Sequence, residues 1–214
     1  MQRPSNPPSA PTQKTQVKRG AKKAHYDQAT LYAILDEAFV CHVAAQQADH
    51  TGLQPTLHWR EGDRLYIHGS SKNGLFRALI EGAEACIGVT LLDGIVFARS
   101  AFHHSVNYRS VIIYGYAKPI IEPQEKRRLL DLMLEKFSTG RSQEARPPNE
   151  NELKATDVLA FELTEMSGKL RTGGPVDDAA DMALPIWAGV KPLTRQWGEI
   201  DYDHAPIDHT SPSQ

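Results

Sequence analysis

Between Asp63 and Arg77 the sequence D-R-L-Y-I-H-G-S-S-K-N-G-L-F-R sets two hydroxyls, Ser70 and Ser71, beside two cations, Lys72 and Arg77. Leu65, Ile67 and Gly69 alternate against Tyr66 and His68, the period of a strand. After Gly69-Ser70-Ser71, the residues Leu75, Phe76, Leu79 and Ile80 recur at helical spacing. A strand delivered through small residues into a helix start leaves backbone N–H groups without intrahelical partners. With Lys72 and Arg77 added, donors, dipole and cations converge, and the turn can cradle a phosphate. The same residues also fit an ordinary strand-turn-helix in which Ser70 or Ser71 caps the helix and Lys72 stands in solvent.

A second run, Phe102-His103-His104-Ser105-Val106-Asn107-Tyr108-Arg109-Ser110, puts an aromatic ring and two imidazoles just before a β-branched strand. This mixture suits a cleft that stacks on a planar ring and donates to a polar ring edge. The alternative is that His103 and His104 are half-exposed loop residues and Tyr108 a core aromatic. Neighbours on a strand face opposite sides, so His103 and His104 cannot both enter one site. Arg109 reads more readily as a structural ion-pair residue than as a ligand. Nine histidines raise a metal or haem site. Metal sites usually need three or four converging ligands, whereas His42, His58 and His68 fall on separate strands, so no metal ligand is assigned. No Ser-His-Asp order or carboxylate pair stands out, and no catalytic side chain is assigned.

The elements that must position these residues are mostly strands. Residues 28–38 read as a helix with Leu31, Ile34, Leu35 and Ala38 in one stripe. Strands are expected over 39–45, 55–60, 64–69, 85–92 and 106–119, with Glu61-Gly62-Asp63 as a hairpin turn. Pro123 opens a helix to Phe137, a short helix runs from Asn149 or Asn151 to Lys154, and 157–164 is the last clear strand. From Gly168 onward the chain is rich in Gly, Pro and Asp, apart from 184–193. Strands joined by short turns point to a closed or partly closed antiparallel barrel with helices over its gaps, a mainly β fold with peripheral helices. The Gly-rich dinucleotide fingerprint is absent.

The chain has 214 residues, 24 Lys and Arg against 26 Asp and Glu, and a formal net charge of −2. With no strongly basic half, nucleic-acid binding is not expected. The longest apolar candidate, residues 85–98, is cut by Gly88, Asp93 and Gly94 and falls short of a membrane span. Residues 1–24 are Pro-rich and basic and read as a disordered arm without a signal core. A folded domain is expected over 25–193 and a flexible tail over 194–214. Cys41 and Cys86 sit in apolar runs without C-x-x-C or zinc spacing, as buried free thiols of a cytoplasmic protein would.

The segments L-Y-I-H-G-S-S-K-N-G-L-F-R-A-L and A-C-I-G-V-T-L-L-D-G-I-V-F-A-R-S-A-F-H-H-S-V-N-Y-R-S-V resemble flavin-nucleotide-binding proteins of the pyridoxamine 5′-phosphate oxidase-like superfamily. Within it they lie nearest the branch that includes nitroimidazole-resistance proteins. Further resemblance lies in Glu152–Ala160, Ser167–Asp178 and Leu184–Leu193, and together the segments span about 25–193 in order. The resemblance implies an FMN-binding split β-barrel (FAD being possible), built as a homodimer with flavin in two clefts between subunits. It implies that His68, Gly69, Ser70, Ser71, Lys72, Asn73 and Arg77 hold the flavin phosphate. Thr56, Leu57 and His58 would lie on the strand whose edge faces the isoalloxazine, and His104 and Ser105 would face it from the other run. Lys169 and Arg171 would contact phosphate or a substrate anion. Trp187 would cover the ring or anchor the tail to the barrel. The implied activity is that of an oxidoreductase acting on a small planar substrate, with NADH or NADPH as electron donor. A flavin carrier or sensor without turnover is the alternative.

Overall fold

The structure is a computed structural model and describes residues 10–203. In chain order its elements are β1 (Ala24–His25), α1 (Gln28–Glu37), β2 (Val40–Gln46), β3 (Thr51–Glu61), β4 (Arg64–Ser70), α2 (Gly74–Ile80), β5 (Glu84–Phe97) and β6 (Ser105–Tyr116). They continue with β7 (Lys118–Pro119), α3 (Pro123–Phe137), α4 (Arg141–Glu144), α5 (Glu150–Ala155), β8 (Thr156–Glu162), β9 (Glu165–Arg171) and β10 (Gly189–Pro192). Every strand pairing is antiparallel. The strand order is β1-β9-β6-β5-β2-β3-β4-β8-β7, with β10 added to β5.

One cluster of buried side chains shows how this sheet curls. Val43, Ile67, Ile87, Ile113, Phe161 and Met166 come from β2, β4, β5, β6, β8 and β9, and all pack in a single core. Strands from both ends of the order can share a core only if the sheet closes on itself, as in a barrel. The stripe of α1 enters the same core through Leu31, Ile34 and Leu35, and α2 through Leu75, Phe76 and Leu79. Register is set by this alternation: His58 lies opposite Ile67 and Trp59 opposite Tyr66, and a one-residue slip would turn every core residue outward.

The outer face of β3, β4 and β8 is covered by α3. Trp59, Tyr66, Val158 and Ala160 form a second cluster there with Leu129, joined by Leu132 and Met133. Glu122 caps α3 and Pro123 occupies its first turn, where a missing N–H costs nothing.

A strand that composition hid is β9. Ser167, Gly168 and Lys169 are weak strand formers, yet β9 pairs with β6 from Tyr108↔Arg171 to Tyr114↔Glu165. A Cβ on Gly168 would stand 2.4 Å from Leu31 Cδ2 and 3.4 Å from two backbone carbonyl oxygens. Gly168 is therefore what lets α1 lie against β9. Likewise β5 extends beyond its apolar run to Phe97, where β10 pairs along Gly94–Phe97 and β6 continues past a register shift between Leu92 and Gly94.

The amino-terminal arm also departs from expectation. Thr15 is buried, Val17 N–H donates to the Tyr26 hydroxyl, Lys14 pairs with Glu84, and β1 adds to β9. Proline and lysine content misses this because a few specific contacts, and no apolar face, hold the segment. In the tail, Arg195 pairs with Glu37 and Trp197 meets Phe39 edge-on, with ring centroids 5.5 Å apart. The ends of the arm and tail expected to be disordered or flexible, residues 1–9 and 204–214, lie outside the described residues. Among the described residues no helix is long and apolar enough to cross a membrane.

Arg109 is a structural residue. Its guanidinium bonds both Asp93 and Glu37, tying the end of α1 to the irregular point of β5, and it holds both carboxyls below the usual carboxylate range.

Candidate cofactor site

The turn from β4 into α2 is built by Asn73. Its Oδ1 accepts from Leu75 N–H at 2.9 Å and Phe76 N–H at 3.3 Å, and its Nδ2 donates to Gln54 Oε1 at 2.7 Å. The capping residue is thus Asn73 and not Ser70 or Ser71, consistent with the preference for Asn at this position. Other donors are engaged too: Ser71 N–H on Ala155 O, Lys72 N–H on Ser70 Oγ and Asn73 N–H on Ser70 O. The backbone cradle expected from the sequence is therefore mostly closed. What stays open are the Ser71 hydroxyl and the side chains of Lys72 and Arg77, all exposed, the two cations without an ion pair among the described residues. An anion here would be held by side-chain charge more than by helix amides. Gly69 sits where a Cβ would meet the Phe76 ring at 2.8 Å, so the helix packs directly on the strand end.

Thr56 and Leu57 are half-buried on β3. Thr56 Oγ1 lies 3.5 Å from His68 O, which ties the two strands only weakly. His58 is fully buried. Its Nε2–H donates to Leu35 O at 3.0 Å, and its Nδ1 has no partner. Lys136, reaching back from α3, donates to Leu35 O, Ala38 O and His58 O. The imidazole of His58 thus belongs to the junction of α1, β3 and α3. Burial, and then the Lys136 charge, push it down to about 4. His68 is half-buried at the edge of the α3 cluster, 5.9 Å from the Trp59 ring, with Nδ1 unpartnered and its basicity lowered by burial.

The His58 environment predicts an acid-sensitive fold. Above pH 6.5 the ring is neutral in both the folded and the unfolded chain. As pH falls from 6.5 to 4 only the unfolded chain gains the proton, and stability is lost. A depression of this size corresponds to up to about 3 kcal/mol. Urea melts of wild type and His58→Gln should diverge in slope across that window, with the variant flatter by about one proton. Parallel pH profiles would show that His58 does not titrate as described.

A second group lies where β5 crosses to β6. Ser100 Oγ accepts from Phe102 N–H, and Ser100 O accepts from His103 N–H and from His104 Nδ1–H, the latter at 3.0 Å. His103 Nε2 meets Asp178 Oδ2 at 3.2 Å. Ser105 is half-buried and opens β6 opposite Val96. Arg171 is buried, with Nη1 on Asn107 Oδ1 and Gly173 O and Nη2 on Gly174 O. Lys169 is half-buried, beside the Gly20 turn. A cleft of about 320 Å³ joins Phe102, His103, His104, Ser105 and Arg171 with Lys23 and Val176. Trp187 is 72 % exposed and leans on Phe97, with centroids 4.9 Å apart. That contact sets the tail against the end of β5.

The predicted residues therefore form two groups. Ser70 to Arg77 with Thr56 and His68 stand at the β3–β4 side, and His104, Ser105 and Arg171 stand at the β5–β6–β9 side. Asn107 was not singled out from sequence, yet it holds Arg171 and donates to Gly173 O. A polar residue buried on a strand, just ahead of R-T-G-G in space but far in sequence, leaves no local signal. Among the described residues no group of three or more His, Cys, Asp or Glu could hold a metal ion.

A family model described as pyridoxamine 5′-phosphate oxidase matches residues 27–170. This chain belongs to that family. The structure of the flavocytochrome Anf3 from Azotobacter vinelandii is 41 % identical and covers 95 % of this chain and 96 % of its own, with a TM-score of 0.89. An FAD and haem binding protein from Mycobacterium smegmatis is 37 % identical over 89 % of this chain and 94 % of that one, with a TM-score of 0.82. A Bacteroides thetaiotaomicron protein assigned to 5-nitroimidazole antibiotic resistance shares the fold at 20 % identity, 68 % and 85 % coverage and a TM-score of 0.58. Among curated proteins none matches. The pyridoxamine 5′-phosphate oxidase family and its barrel are those the sequence motifs implied, and the two structures of highest identity here come from flavin- and haem-binding relatives.

Proposed function

We propose that this chain is a flavin-binding oxidoreductase of the pyridoxamine 5′-phosphate oxidase family, working as a homodimer with haem as a second prosthetic group. The observation that carries the reading is the end-to-end match, at 41 % identity, to a flavocytochrome. Lys72 and Arg77, cations without an ion pair among the described residues, support it as the clamp for the flavin phosphates, joined by the Ser71 hydroxyl. The edge of β3 at Thr56 and Leu57 would face the isoalloxazine. FAD is placed ahead of FMN, because the relative at 37 % identity is described as binding FAD. When bound, the flavin would supply the electron chemistry, and the protein would orient it and shape its potential.

Dimerisation is supported by apolar residues left on the outside of the barrel. Val40, Leu53, Leu92, Ile95 and Val106 are exposed on β2, β3, β5 and β6, a density of apolar surface that marks an interface. A second copy there would also bring the His104 side of one subunit to the Lys72 side of the other, closing the gap between the two groups of residues. Two free thiols, Cys41 and Cys86, suit a reducing compartment, and we place the protein in the cytoplasm.

The test is the visible spectrum of the purified protein with its sedimentation. A flavin band that bleaches when NADH or NADPH is added without oxygen, carried by a dimer, is the expected result. A flavin-loaded monomer at micromolar concentration would remove the shared site. Bound flavin that neither nicotinamide nor dithionite reduces in the folded dimer would favour a carrier or sensor.

A further inference from the structure

We propose that the amino-terminal arm and β9 form a docking surface for a small acidic electron-carrier protein, which delivers electrons to the flavin by way of the β5–β6 crossover. The delivery rests on the flavin reading above. The docking surface rests on charge and geometry alone and is tested separately.

Residues 1–26 carry six cations, Arg3, Lys14, Lys18, Arg19, Lys22 and Lys23, and no Asp or Glu, in a chain whose net charge is −2. Soluble surfaces usually intersperse the two signs. Here they are segregated, and the described part of the run is folded onto the barrel. Thr15 is buried, Val17 N–H donates to the Tyr26 hydroxyl at 2.9 Å, and Lys23 N–H returns to Gly20 O at 2.9 Å. Gly20 turns the chain at φ 73°, where glycine meets no Cβ penalty. The stem of Lys169 passes 3.5 Å from where a Cβ would stand on Gly20, so β9 adds its cation to those of the arm. Lys18, Arg19, Lys22 and Lys23 are exposed and Lys169 half-buried, all without an ion pair among the described residues.

This platform borders the crossover. Lys23 lines the cleft of about 320 Å³ with Phe102, His104 and Arg171. The Arg171 guanidinium bonds only amide oxygens, so no carboxylate cancels its charge. Phe102 and Val176 are exposed at the same place. Fixed cations therefore surround a small apolar patch beside His104 and Ser105, which the shared site of the dimer would bring against the flavin. Redox proteins meet through small, weak faces of this kind, and opposite charge speeds the encounter. Single-stranded nucleic acid would use a series of stacking aromatics along the cations, and residues 14–23 contain none. A membrane surface would need an apolar face on the arm, whereas Val17 is its one large aliphatic between Lys14 and Lys23 and is half-buried. Each docking would oxidise the carrier by one electron. Two dockings supply the two electrons of full flavin reduction, with protons from solvent.

The experiment mixes the full-length, flavin-loaded protein anaerobically with a reduced acidic plant-type ferredoxin and follows bleaching of the flavin band. Calorimetry with the oxidised ferredoxin measures docking without any need for flavin. In wild type the second-order bleaching rate should fall about tenfold or more between low ionic strength and about 0.3 M salt. At low salt, the triple variant Lys18→Glu, Arg19→Glu, Lys22→Glu should lose about tenfold or more in both rate and affinity. The matching glutamine variant should fall between it and wild type, an order by charge that misfolding would not produce. Bleaching by dithionite should be the same in all three, and Lys154→Glu on α5 should behave as wild type. A triple variant that binds and is reduced like wild type overturns the proposal. Tighter binding of a single-stranded oligonucleotide or of phosphatidylserine vesicles than of ferredoxin also overturns it, giving the surface to nucleic acid or to a membrane. If dithionite bleaches the flavin but ferredoxin neither binds nor reduces it, docking fails and the flavin reading stands. If ferredoxin binds in the expected order to a protein without reducible flavin, the docking surface stands, and the delivery fails together with the flavin reading.

Discussion

Replacing Lys72 and Arg77 together with alanine is expected to weaken flavin binding by about a hundredfold. A charge-assisted hydrogen bond to phosphate contributes roughly 1.5–3 kcal/mol, and each 1.4 kcal/mol is about tenfold in affinity. Each single variant should therefore lose about tenfold, and Ser71→Ala less, because a neutral hydroxyl donates a weaker bond. The melting temperature of the flavin-free protein should not move. Both side chains are exposed and make no ion pair among the described residues, so no folded-state contact is lost. Affinity would be read by fluorescence quenching of added FAD and FMN, and rising salt should narrow the gap between wild type and variant. A double variant with wild-type affinity would move the phosphate elsewhere, and the cationic cleft at Arg171 would be the next place to look.

Gly168→Ala should cost about 2–3 kcal/mol of stability, lowering the melting temperature by several degrees. The new methyl would lie 2.4 Å from Leu31 Cδ2, with carbonyls of His25 and Ser110 at 3.4 Å closing two other directions. Leu31 is fully buried in the main core, so its side chain has little room to turn away. The contact can be isolated by a double-mutant cycle. In a Leu31→Ala background, where the obstructing methyl is gone, Gly168→Ala should cost little. Equal costs in both backgrounds would mean that the strain comes from the strand and not from the helix packed on it. Because β9 carries Arg171, the same substitution should also loosen the Arg171–Asn107 contact, visible as faster amide exchange at Gly173 and Gly174.

Much of the barrel was legible because strand alternation and helix stripes are local. Leu65, Ile67 and their polar neighbours read as a strand, and Leu31, Ile34 and Leu35 as a buried stripe, since side-chain direction repeats with backbone geometry whatever surrounds it. Both helices expected to flank the barrel over 28–38 and 123–137 are present with their stripes inward. The β9 strand was not legible. Ser167-Gly168-Lys169 looks like a loop until Leu31 arrives from a helix more than a hundred residues earlier and requires that no side chain be there.

The candidate site divides along the same line. Residue types alone showed that the Ser70–Arg77 turn carries hydroxyls and cations of the kind that suit an anion, and that the Phe102–Ser110 run carries imidazoles and an aromatic. Tertiary structure decided which atoms remain available. It closed the amides at Asn73, sealed His58 under α1 and turned Arg109 into a staple. Among the described residues it also left the side chains of Lys72 and Arg77 without an ion pair. The physical reason is that a hydrogen-bonding group is defined by what it has not already bonded, and most of those partners are far away in sequence. Ala155 for Ser71, Lys136 for His58 O and Asn107 for Arg171 are separated by 84, 78 and 64 positions. Composition and spacing say which chemistry a segment can do, and only the folded chain says which of its donors and lone pairs are still free to do it.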